Sequence, residues 1–515
     1  MDTTPAEQRS TGVVRSMARL APGVVALLAL FVVYATIRQR YVGASDWYGY
    51  YALSRLFLQG RVTMPMTLDV ARYPAAAPLA FEAGDGRAIP RYPPGYPLLM
   101  ALAGVVGAEF YVTPLCAVLS VLVLYVILIR RVSRFVAVLM CAVWAACPVV
   151  VWGAGSVMSD LPAALWLMTT YCLLDRDRPT LAGAVFALAV ATRPTNLLFG
   201  LLLVPLLVGD WRRLARFVTA ATAGAAVYGF YNWQVFGVPW RMGFKDSFGG
   251  FSLGRFPRNF PRFGWHLLTV LGAGTLLPAI AGVFRRHRRS LFFLGWFLLF
   301  WVLYSFWWVY PDPWWYLRFL LPGLPGLLIL AADGWEDLRR WVDERGRAWR
   351  IVVRVAYSVG AAVLLVVFVR FGIEQRLFTS TTAKMFHDVA SSARERLPAD
   401  ALIGAFDHTG SLRLYGGFET FRVPWPGAVE LVQDSLKSGR PVYLLLEPSL
   451  KDDATTKRLL RECEVDAGIV LEGWPDTRAV RVIACRASGT AGRARTEGAR
   501  ALAAAPAASP EGPRL

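Results

Sequence analysis

Long runs of apolar residues, separated by polar connectors, dominate the first 370 positions of the chain. Most approach or exceed the roughly 17–20 residues with which a helix crosses the hydrocarbon of a bilayer. The runs occupy residues 20–37, 110–129, 135–152, 161–174, 180–192, 196–208, 214–232, 265–284, 291–309, 319–333 and 351–370. This pattern predicts an α-helical polytopic membrane protein with about eleven transmembrane helices.

The connectors between the apolar runs are of two kinds, which alternate along the chain. One kind is long and rich in aromatic residues, proline and glycine, and comprises residues 38–109, 233–264 and 310–318. The other kind is short and rich in arginine, and comprises residues 130–134, 176–178, 212–216, 285–289 and 339–350. Because arginine-rich connectors stay in the cytoplasm, we expect the long connectors outside and residues 1–19 inside as a cytoplasmic N-terminus.

This alternation depends on how residues 180–208 are divided. A break at Thr192-Arg193-Pro194 gives two segments of about 13 residues, which are short for membrane spans. The alternative is one uninterrupted helix, which would place the Arg212 cluster and every later basic connector outside. We favour the break, as a hairpin bent at the outer surface.

The first outer connector, residues 38–109, is too long to be a simple link. The spacing of Leu53, Leu56 and Leu58 suits a helix lying in the membrane interface. Residues 96–107 are apolar but number only about 12, so we expect them to rest on the outer leaflet or re-enter it rather than cross.

The sequence changes character after residue 373. Segments such as ALIGAFD and PVYLLLE alternate with charged helical stretches, so residues 374–487 are predicted to form an extracytoplasmic α/β domain. Cys463 and Cys485 lie in it, and an extracytoplasmic location would permit a disulfide between them, which the sequence does not decide. Residues 488–515, rich in alanine, glycine, arginine and proline, are predicted to be a disordered tail.

Composition supports the membrane assignment and removes one class of function. The 515 residues are 56% hydrophobic and 18% charged, with a mean hydropathy of +0.43. A net charge of +19 is also found in nucleic-acid-binding proteins, yet all but five of the 55 basic residues are arginine. Because those arginines cluster in the connectors, the charge reflects membrane topology, and no nucleic-acid partner is expected.

Two acidic residues stand in the predicted outer connectors. Asp46 lies among five aromatic residues in YVGASDWYGYY, and Asp160 lies in GAGSVMSDLP. A carboxylate can act as the general base that removes a proton from an attacking hydroxyl. The alternatives are a solvated residue in an interfacial aromatic belt for Asp46 and a helix cap for Asp160.

Several segments of the chain, in this order, resemble one family of membrane enzymes. Besides Asp46 after the first span, they are RYPPGYPLL at 91–99, IRRVSR at 129–134, SDLPAAL at 159–165, ATRPTNLLF at 191–199, YLRFLLPGLPGLLIL at 316–330 and ADALIGAFDHTGSLRLYGGFETFRVPW at 399–425. The set resembles the integral-membrane glycosyltransferases of the GT-C fold. Within them it is most similar to the bacterial branch related to protein O-mannosyltransferases and lipid A aminoarabinose transferase, or glycosyltransferase family 39.

The resemblance implies a glycosyltransferase domain over residues 20–373, with a catalytic outer connector at 38–109. It implies a donor sugar linked to polyprenyl phosphate, an envelope glycan, lipid or protein as acceptor, and a multi-pass location in the bacterial inner membrane. Asp46 would be the general base of an inverting transfer, with Asp160 as a second catalytic candidate. The candidates for binding the donor phosphate are Arg91, Tyr92, Arg193 and Arg318.

The sequence departs from the family pattern at two positions. Trp47 stands where many members have a second acid, and Tyr92 stands where the aminoarabinose-type pattern has a lysine. Three alternatives therefore stay open: arginines that only anchor or snorkel to lipid, a transporter or flippase of lipid-linked glycans, and a non-catalytic relative. No organic cofactor is predicted, and the pattern is compatible with a divalent metal ion.

Two further features belong to the outer connectors. The densest aromatic cluster favours interfacial anchoring, with sugar stacking as the alternative. It comprises Trp307, Trp308, Trp314, Trp315 and Tyr316. Lys245 and Asp246 are candidates for shaping the acceptor site.

Overall fold

The structure, a computed structural model, describes most of the chain. The described residues are 5–43, 45–243, 250–285, 287–308, 313–381, 383–447, 450, 453–466, 468–473 and 477–485. Lys245, Asp246 and the predicted tail at 488–515 lie outside them.

Among the described residues, fifteen helices form the part of the chain that the apolar pattern covers. They are α1 (Pro5–Ile37), α2 (Ser45–Leu58), α3 (Gly95–Gly104), α4 (Val112–Leu128), α5 (Arg134–Ala146), α6 (Pro148–Gly155), α7 (Asp160–Asp175), α8 (Pro179–Thr192), α9 (Phe199–Leu207), α10 (Trp211–Phe236), α11 (Phe256–Leu271), α12 (Ala273–Arg285), α13 (His287–Ser305), α14 (Leu324–Asp343) and α15 (Arg347–Glu374). Short 3-10 helices at Glu109–Tyr111, Pro194–Leu198 and Trp314–Leu320 precede α4, α9 and α14. Side-chain caps start some of these helices: Ser133 accepts a hydrogen bond from Val136 N, and Asp210 accepts from the first amides of α10.

Fewer helices are long and apolar enough to cross a membrane than the sequence predicts. Among the described residues, one continuous helix passes that test by length and composition, at Glu109–Leu128. Three bent pairs raise the number to four if each pair is one span, and the remaining apolar helices are 10–17 residues long. The structure is therefore helical as predicted, but the number of eleven spans is not confirmed.

Proline and glycine divide several of the predicted runs. The predicted span 265–284 is in fact two helices, because Gly272 has a φ of +72° and the chain turns there by 115°. The predicted span 135–152 bends by 55° at Cys147-Pro148. The break expected near Arg193 is present, since α8 ends at Thr192 and Pro194 opens the next helical segment.

The connector at 130–134 packs against the C-terminal half of α14. Arg131 pairs with Asp333 at 2.7 Å, and Glu336 accepts a hydrogen bond from Ser133 N at 3.0 Å. Arg213 donates a hydrogen bond to Leu174 O, which brings the connectors before and after residues 179–208 together. A single helix over 180–208 would hold these two connectors apart, so the structure supports the interpretation with a break.

The first long connector folds into regular elements rather than an open loop. After α2 it forms a three-stranded antiparallel sheet of β1 (Met64–Pro65), β2 (Phe81–Ala83) and β3 (Arg87–Pro90), with β3 in the centre. The apolar segment expected at 96–107 becomes α3, which is ten residues long and thus too short to span. This connector carries Asp46, Arg91 and Tyr92.

The C-terminal part forms a mixed six-stranded sheet with helices. Its strands are β4 (Leu402–Ala405), β5 (Glu419–Arg422), β6 (Val442–Leu446), β7 (Cys463–Val465), β8 (Ile469–Val470) and β9 (Arg478–Cys485). Five of them follow the order β5-β4-β6-β9-β7, and β8 pairs with β9. Its helices are α16 (Lys384–Arg396), α17 (Thr409–Ser411), α18 (Ala428–Lys437) and α19 (Ala454–Glu462). Cys463 is disulfide-bonded, and Cys485 is the residue opposite it on β9.

The two faces of this sheet bury different partners, as the period of two along a strand requires. On β6, Tyr443 and Leu445 pack in a small core with α16. Val442 and Leu444 face the other way, into a core that also contains side chains of the first long connector and α2. The C-terminal sheet and the connector that carries Asp46 therefore share one hydrophobic core.

Candidate active site

Asp46 lies in the first turn of α2, where the helix dipole favours a negative charge. Its carboxylate has two described partners. Oδ1 accepts a hydrogen bond from the hydroxyl of Tyr92, and Oδ2 accepts one from Nη2 of Arg318 at 3.0 Å. The side chain of Asp46 nevertheless stays 36% exposed, so a ligand can reach it.

Arg318 belongs to the 3-10 helix before α14, and its guanidinium is largely buried among aromatic rings. The ring centroids of Trp152, Trp315 and Phe319 lie 4.9–5.6 Å from its Cζ atom. Nη1 faces the thioether of Met158 at 3.6 Å, and Nε has no hydrogen-bond partner in the part of the chain that the structure describes. Because a thioether is a weak acceptor, Arg318 keeps donor capacity beyond its bond to Asp46.

Asp160 forms a second, more deeply buried ion pair. It begins α7, and it accepts a hydrogen bond from Nη1 of Arg193, the residue that follows α8. The two side chains are 6% and 11% exposed, and Nε of Arg193 donates to the hydroxyl of Tyr304 at 3.0 Å. The carboxylate of Asp160 thus accepts its described hydrogen bond from Arg193 and not from a backbone N–H of α7, which does not favour its interpretation as a helix cap.

Tyr50 connects the two ion pairs. It stands four residues after Asp46 on α2, its hydroxyl lies 2.8 Å from Ser159 Oγ, and its ring lies 4.5 Å from that of Tyr92. Burial raises its pKa above the ordinary tyrosine value, and the nearby carboxylates of Asp160 and Asp46 raise it further. Tyr50 is not among the site residues predicted from the sequence, although a helical spacing of four from Asp46 puts both residues on one face of α2.

Arg91 is placed apart from this cluster. Its Nε lies 3.4 Å from the carboxylate of Glu82 on β2, and its backbone packs closely against Gly243. Asp46, Tyr92 and Arg318 are thus brought together, and Asp160 joins Arg193. Arg91 lies next to Tyr92 in sequence, but its ion-pair partner is another acid.

The predicted aromatic cluster divides in the structure. Trp314 is buried and donates a hydrogen bond to Gln375, whereas Trp308 is 53% exposed. Trp315 stacks on Tyr316 with a centroid separation of 4.1 Å and also borders Arg318. Only part of the cluster is therefore close to the carboxylate of Asp46.

No group of three or more histidine, cysteine, aspartate or glutamate side chains that could hold a metal ion occurs within the described ranges. Two apolar surface grooves, one along α10 and one between α1 and α4, do not include Asp46. The cluster of Asp46, Tyr92 and Arg318 is thus the candidate site with the clearest chemistry.

Comparison with known proteins gives an independent view of the chain. Residues 91–248 match a family model described as glycosyltransferase family 87. No curated protein matches the chain significantly in sequence.

Solved structures match over most of the chain. The ArnT protein from Cupriavidus metallidurans in its apo state aligns with a TM-score of 0.59 and 16% identity, over 91% of this chain and 98% of that one. The same protein bound to undecaprenyl phosphate gives 0.58 and 16%, over 93% and 99%. The archaeal oligosaccharyltransferase AglB from Archaeoglobus fulgidus, in complex with an inhibitory peptide and a dolichol-phosphate, gives 0.54 and 13%, over 86% and 72%.

These matches confirm the predicted resemblance. The chain has the GT-C-like fold of membrane glycosyltransferases, and the family model over residues 91–248 is also a glycosyltransferase family.

Proposed function

We propose that the chain is a glycosyltransferase that moves a sugar from a polyprenyl-phosphate-linked donor to an envelope glycan, lipid or protein acceptor. The transfer occurs at the outer face of the bacterial inner membrane. The observation that carries the proposal is the partly exposed carboxylate of Asp46, held between Tyr92 and Arg318 in a GT-C-like fold. Asp46 is the general base, and the reaction inverts the anomeric centre.

Accessibility favours Asp46 over Asp160 as the base. A base must come within hydrogen-bond reach of the proton that it takes. The side chain of Asp46 is 36% exposed, while that of Asp160 is 6% exposed and paired with Arg193. In this proposal Asp160 and Arg193 form a buried ion pair that stabilises the site, and Asp46 contacts the acceptor.

Arg318 is the group that meets the donor phosphate. A guanidinium binds phosphate oxygens through two parallel N–H donors. Its Nε has no described partner and its Nη1 faces a thioether sulfur, so the guanidinium keeps N–H donors for a phosphate besides the one that it gives to Asp46. Arg193 is committed to Asp160 and Tyr304, and Arg91 lies beside Glu82, so both are secondary candidates.

The reaction then follows from these positions. The acceptor hydroxyl gives its proton to Asp46 while its oxygen forms a bond to the anomeric carbon. The bond from that carbon to the phosphate oxygen breaks, and its electron pair stays on the phosphate. Arg318 stabilises the charge that develops there. One base and no covalent intermediate imply inversion.

A lipid-linked donor is supported by the neighbours and by location. One solved relative is bound to undecaprenyl phosphate and another is in complex with a dolichol-phosphate. The meeting of connectors 38–109, 153–160 and 310–318 at one end of the helices agrees with a site on a single side of the membrane. We propose that this side is the outer one, with about eleven spans that include short and bent helices, and an extracytoplasmic α/β domain at 374–487.

Deletion of the gene tests the proposal. Mass spectrometry of cell-envelope glycans and of polyprenyl phosphate sugars should show one lipid-linked sugar accumulating and one modification lost. The wild-type protein should restore both, and Asp46→Asn should restore neither. Asp85→Asn, an exposed acid in the same connector, is the matched control and should restore both. Rescue by Asp46→Asn would instead favour a transporter or a non-catalytic relative.

A further inference from the structure

Residues of the C-terminal part contact the chain on both sides of Asp46. On the N-terminal side, the backbone N–H of Val42 donates a hydrogen bond to the hydroxyl of Tyr415 at 2.7 Å. A Cβ atom on the next residue, Gly43, would lie only 3.1 Å from the ring of Phe386. The side chain of Gln39 is also held in this region, by the backbones of Thr379 and Ala383.

On the C-terminal side of Asp46, the contact is made by Tyr48. This residue is 4% exposed, and its ring packs directly on the backbone of Gly410 in α17. A Cβ atom at position 410 would lie 2.4 Å from the ring of Tyr48, so only glycine permits the contact. The neighbouring Thr409 adds a hydrogen bond from Leu79 N at 3.1 Å.

These contacts fix the start of α2 from two directions. Asp46 lies four residues after Val42 and two residues before Tyr48, so its backbone has little freedom to move independently of either. Its carboxylate must at the same time meet Tyr92 and Arg318, which come from other segments. The C-terminal part therefore determines where the carboxylate stands relative to its partners.

We infer that Tyr415 and Gly410 are positioning residues for the Asp46 carboxylate, so that the C-terminal sheet domain is part of the catalytic apparatus. The inference rests on the function proposed above. A displacement of about 1 Å at a reacting group can lower a rate about 100-fold. Neither residue touches Asp46; each acts through the chain beside it.

The hydroxyl of Tyr415 is suited to this role. Burial raises its pKa to about 12, and its oxygen accepts the N–H of Val42. Val42 is 1% exposed. Without the hydroxyl its buried N–H would have no acceptor, and an unsatisfied buried donor drives the backbone to a new position.

Tyr415→Phe tests the role of the hydroxyl, with Tyr443→Phe as the matched control. Tyr443 is a buried tyrosine on β6 of the C-terminal sheet, and it packs toward α16 and away from the first connector. Purified protein is added to membranes of the deletion strain, which hold both the accumulated donor and the unmodified acceptor. The rate of transfer is measured as added donor extract is varied, and hydrogen–deuterium exchange is followed in the peptide over residues 41–51.

The expected result is a fall in kcat of about tenfold or more for Tyr415→Phe, with KM for the donor within about twofold. Exchange in the 41–51 peptide should accelerate. Tyr443→Phe should leave all three quantities near their wild-type values. Faster exchange with an unchanged kcat would show a purely structural contact and overturn the inference, as would an equal loss of kcat in both variants.

Gly410→Ala gives a second, independent test, because the added methyl group displaces Tyr48 without removing any hydrogen bond. Gly360→Ala on α15 is its control, since a Cβ atom there has open space around it. Gly410→Ala should lower kcat and Gly360→Ala should not. If the wild-type protein transfers no sugar at all, the proposed function fails, while exchange at 41–51 still reports whether the contact holds the chain. If Asp46→Asn abolishes transfer but Tyr415→Phe and Gly410→Ala do not lower kcat, the function stands and the positioning role is wrong.

Discussion

Arg318 donates a hydrogen bond to Asp46 at 3.0 Å, although 272 positions separate the two residues in the chain. The same guanidinium faces Met158, and the same carboxylate accepts from Tyr92. Three segments that are distant in sequence therefore meet at this pair of residues. The pair sets up a competition: when an anionic ligand enters, Arg318 can share its donors between the ligand and Asp46.

The first prediction concerns that competition. Arg318→Ala should weaken the binding of undecaprenyl phosphate to the purified protein in nanodiscs by about 10- to 100-fold. This corresponds to the roughly 1.5–3 kcal/mol of a hydrogen bond to a charged group. Arg318→Lys should recover only part of the affinity, because an ammonium cannot bind two phosphate oxygens in parallel. Equal affinity in all three proteins would limit Arg318 to a role in orienting Asp46.

A second prediction ranks Arg91 below Arg318. Because Arg91 lies beside Glu82 and outside the Asp46 cluster, Arg91→Ala should reduce undecaprenyl phosphate affinity less than Arg318→Ala does. Arg87→Ala, at an exposed arginine on β3, the strand that ends just before Arg91, is the control and should have no effect. If Arg91→Ala proves the more damaging change, the donor phosphate lies nearer β3 than Asp46, and the proposed site has to be moved.

A third prediction concerns sidedness. Reporter fusions after residues 175, 210, 287 and 345 should be cytoplasmic, and fusions after 240 and 487 extracytoplasmic. The reason is that arginine-rich connectors lie close together in the structure, since Arg213 pairs with Asp177 at 3.5 Å and Arg130 pairs with Asp175 at 3.2 Å. A cytoplasmic signal at 487 would place the C-terminal sheet inside and separate the proposed reaction from the outer surface.

A fourth prediction follows from Cys463, which is disulfide-bonded and lies opposite Cys485 on β9. In intact cells both cysteines should resist maleimide labelling until a reductant is added, because an extracytoplasmic compartment is oxidising. Cys463→Ala should lower the stability of the C-terminal part by about 2–4 kcal/mol. Cys172→Ala, at a buried free cysteine in α7, should leave the labelling pattern of the C-terminal part unchanged. Labelling of Cys463 without reductant would argue for a reducing compartment.

The sequence predicts those features of the fold whose signals are local. Apolar runs mark helices, Arg193-Pro194 marks a break, and the short apolar run in PVYLLLE marks the buried strand β6. The sequence-based prediction is wrong where a single glycine changes the direction of the chain. At Gly272 the chain turns by 115°, although the apolar run continues through that position. Hydropathy averaged over a window of residues carries no information about the backbone φ of one residue.

The candidate site is less predictable than the fold because its partners are distant in sequence. Asp46 and Arg318 are both recognisable as candidates, yet the sequence does not indicate that Asp46 pairs with Arg318 and not with Arg91. Tyr304, which binds Arg193, lies in a predicted span and has no motif of its own. The contact of Val42 with Tyr415 involves a backbone N–H, which every residue except proline offers, so no residue type signals it.

The last prediction tests the base itself. Asp46→Asn keeps the shape of the side chain and can still accept a hydrogen bond from Tyr92 or Arg318, but it cannot take up the proton of an acceptor hydroxyl. General-base catalysis contributes about 10²–10⁴-fold, so turnover should fall by at least the lower figure. Binding of undecaprenyl phosphate should not weaken, because the change removes a negative charge near an anionic ligand. Turnover and binding are measured on the same purified protein in lipid.

The choice of control decides how this result can be interpreted. Asp160→Asn is unsuitable, because it would leave the buried cation of Arg193 without its anion, and breaking such a pair costs about 3–5 kcal/mol of stability. A loss of activity there would not separate catalysis from folding. Asp85→Asn removes a negative charge from the same connector at an exposed position, so it should retain wild-type turnover. If Asp46→Asn transfers sugar within a few-fold of Asp85→Asn, Asp46 is not the base. Since Asp160 is buried behind its ion pair, the proton would then have to leave by a route that avoids both acids.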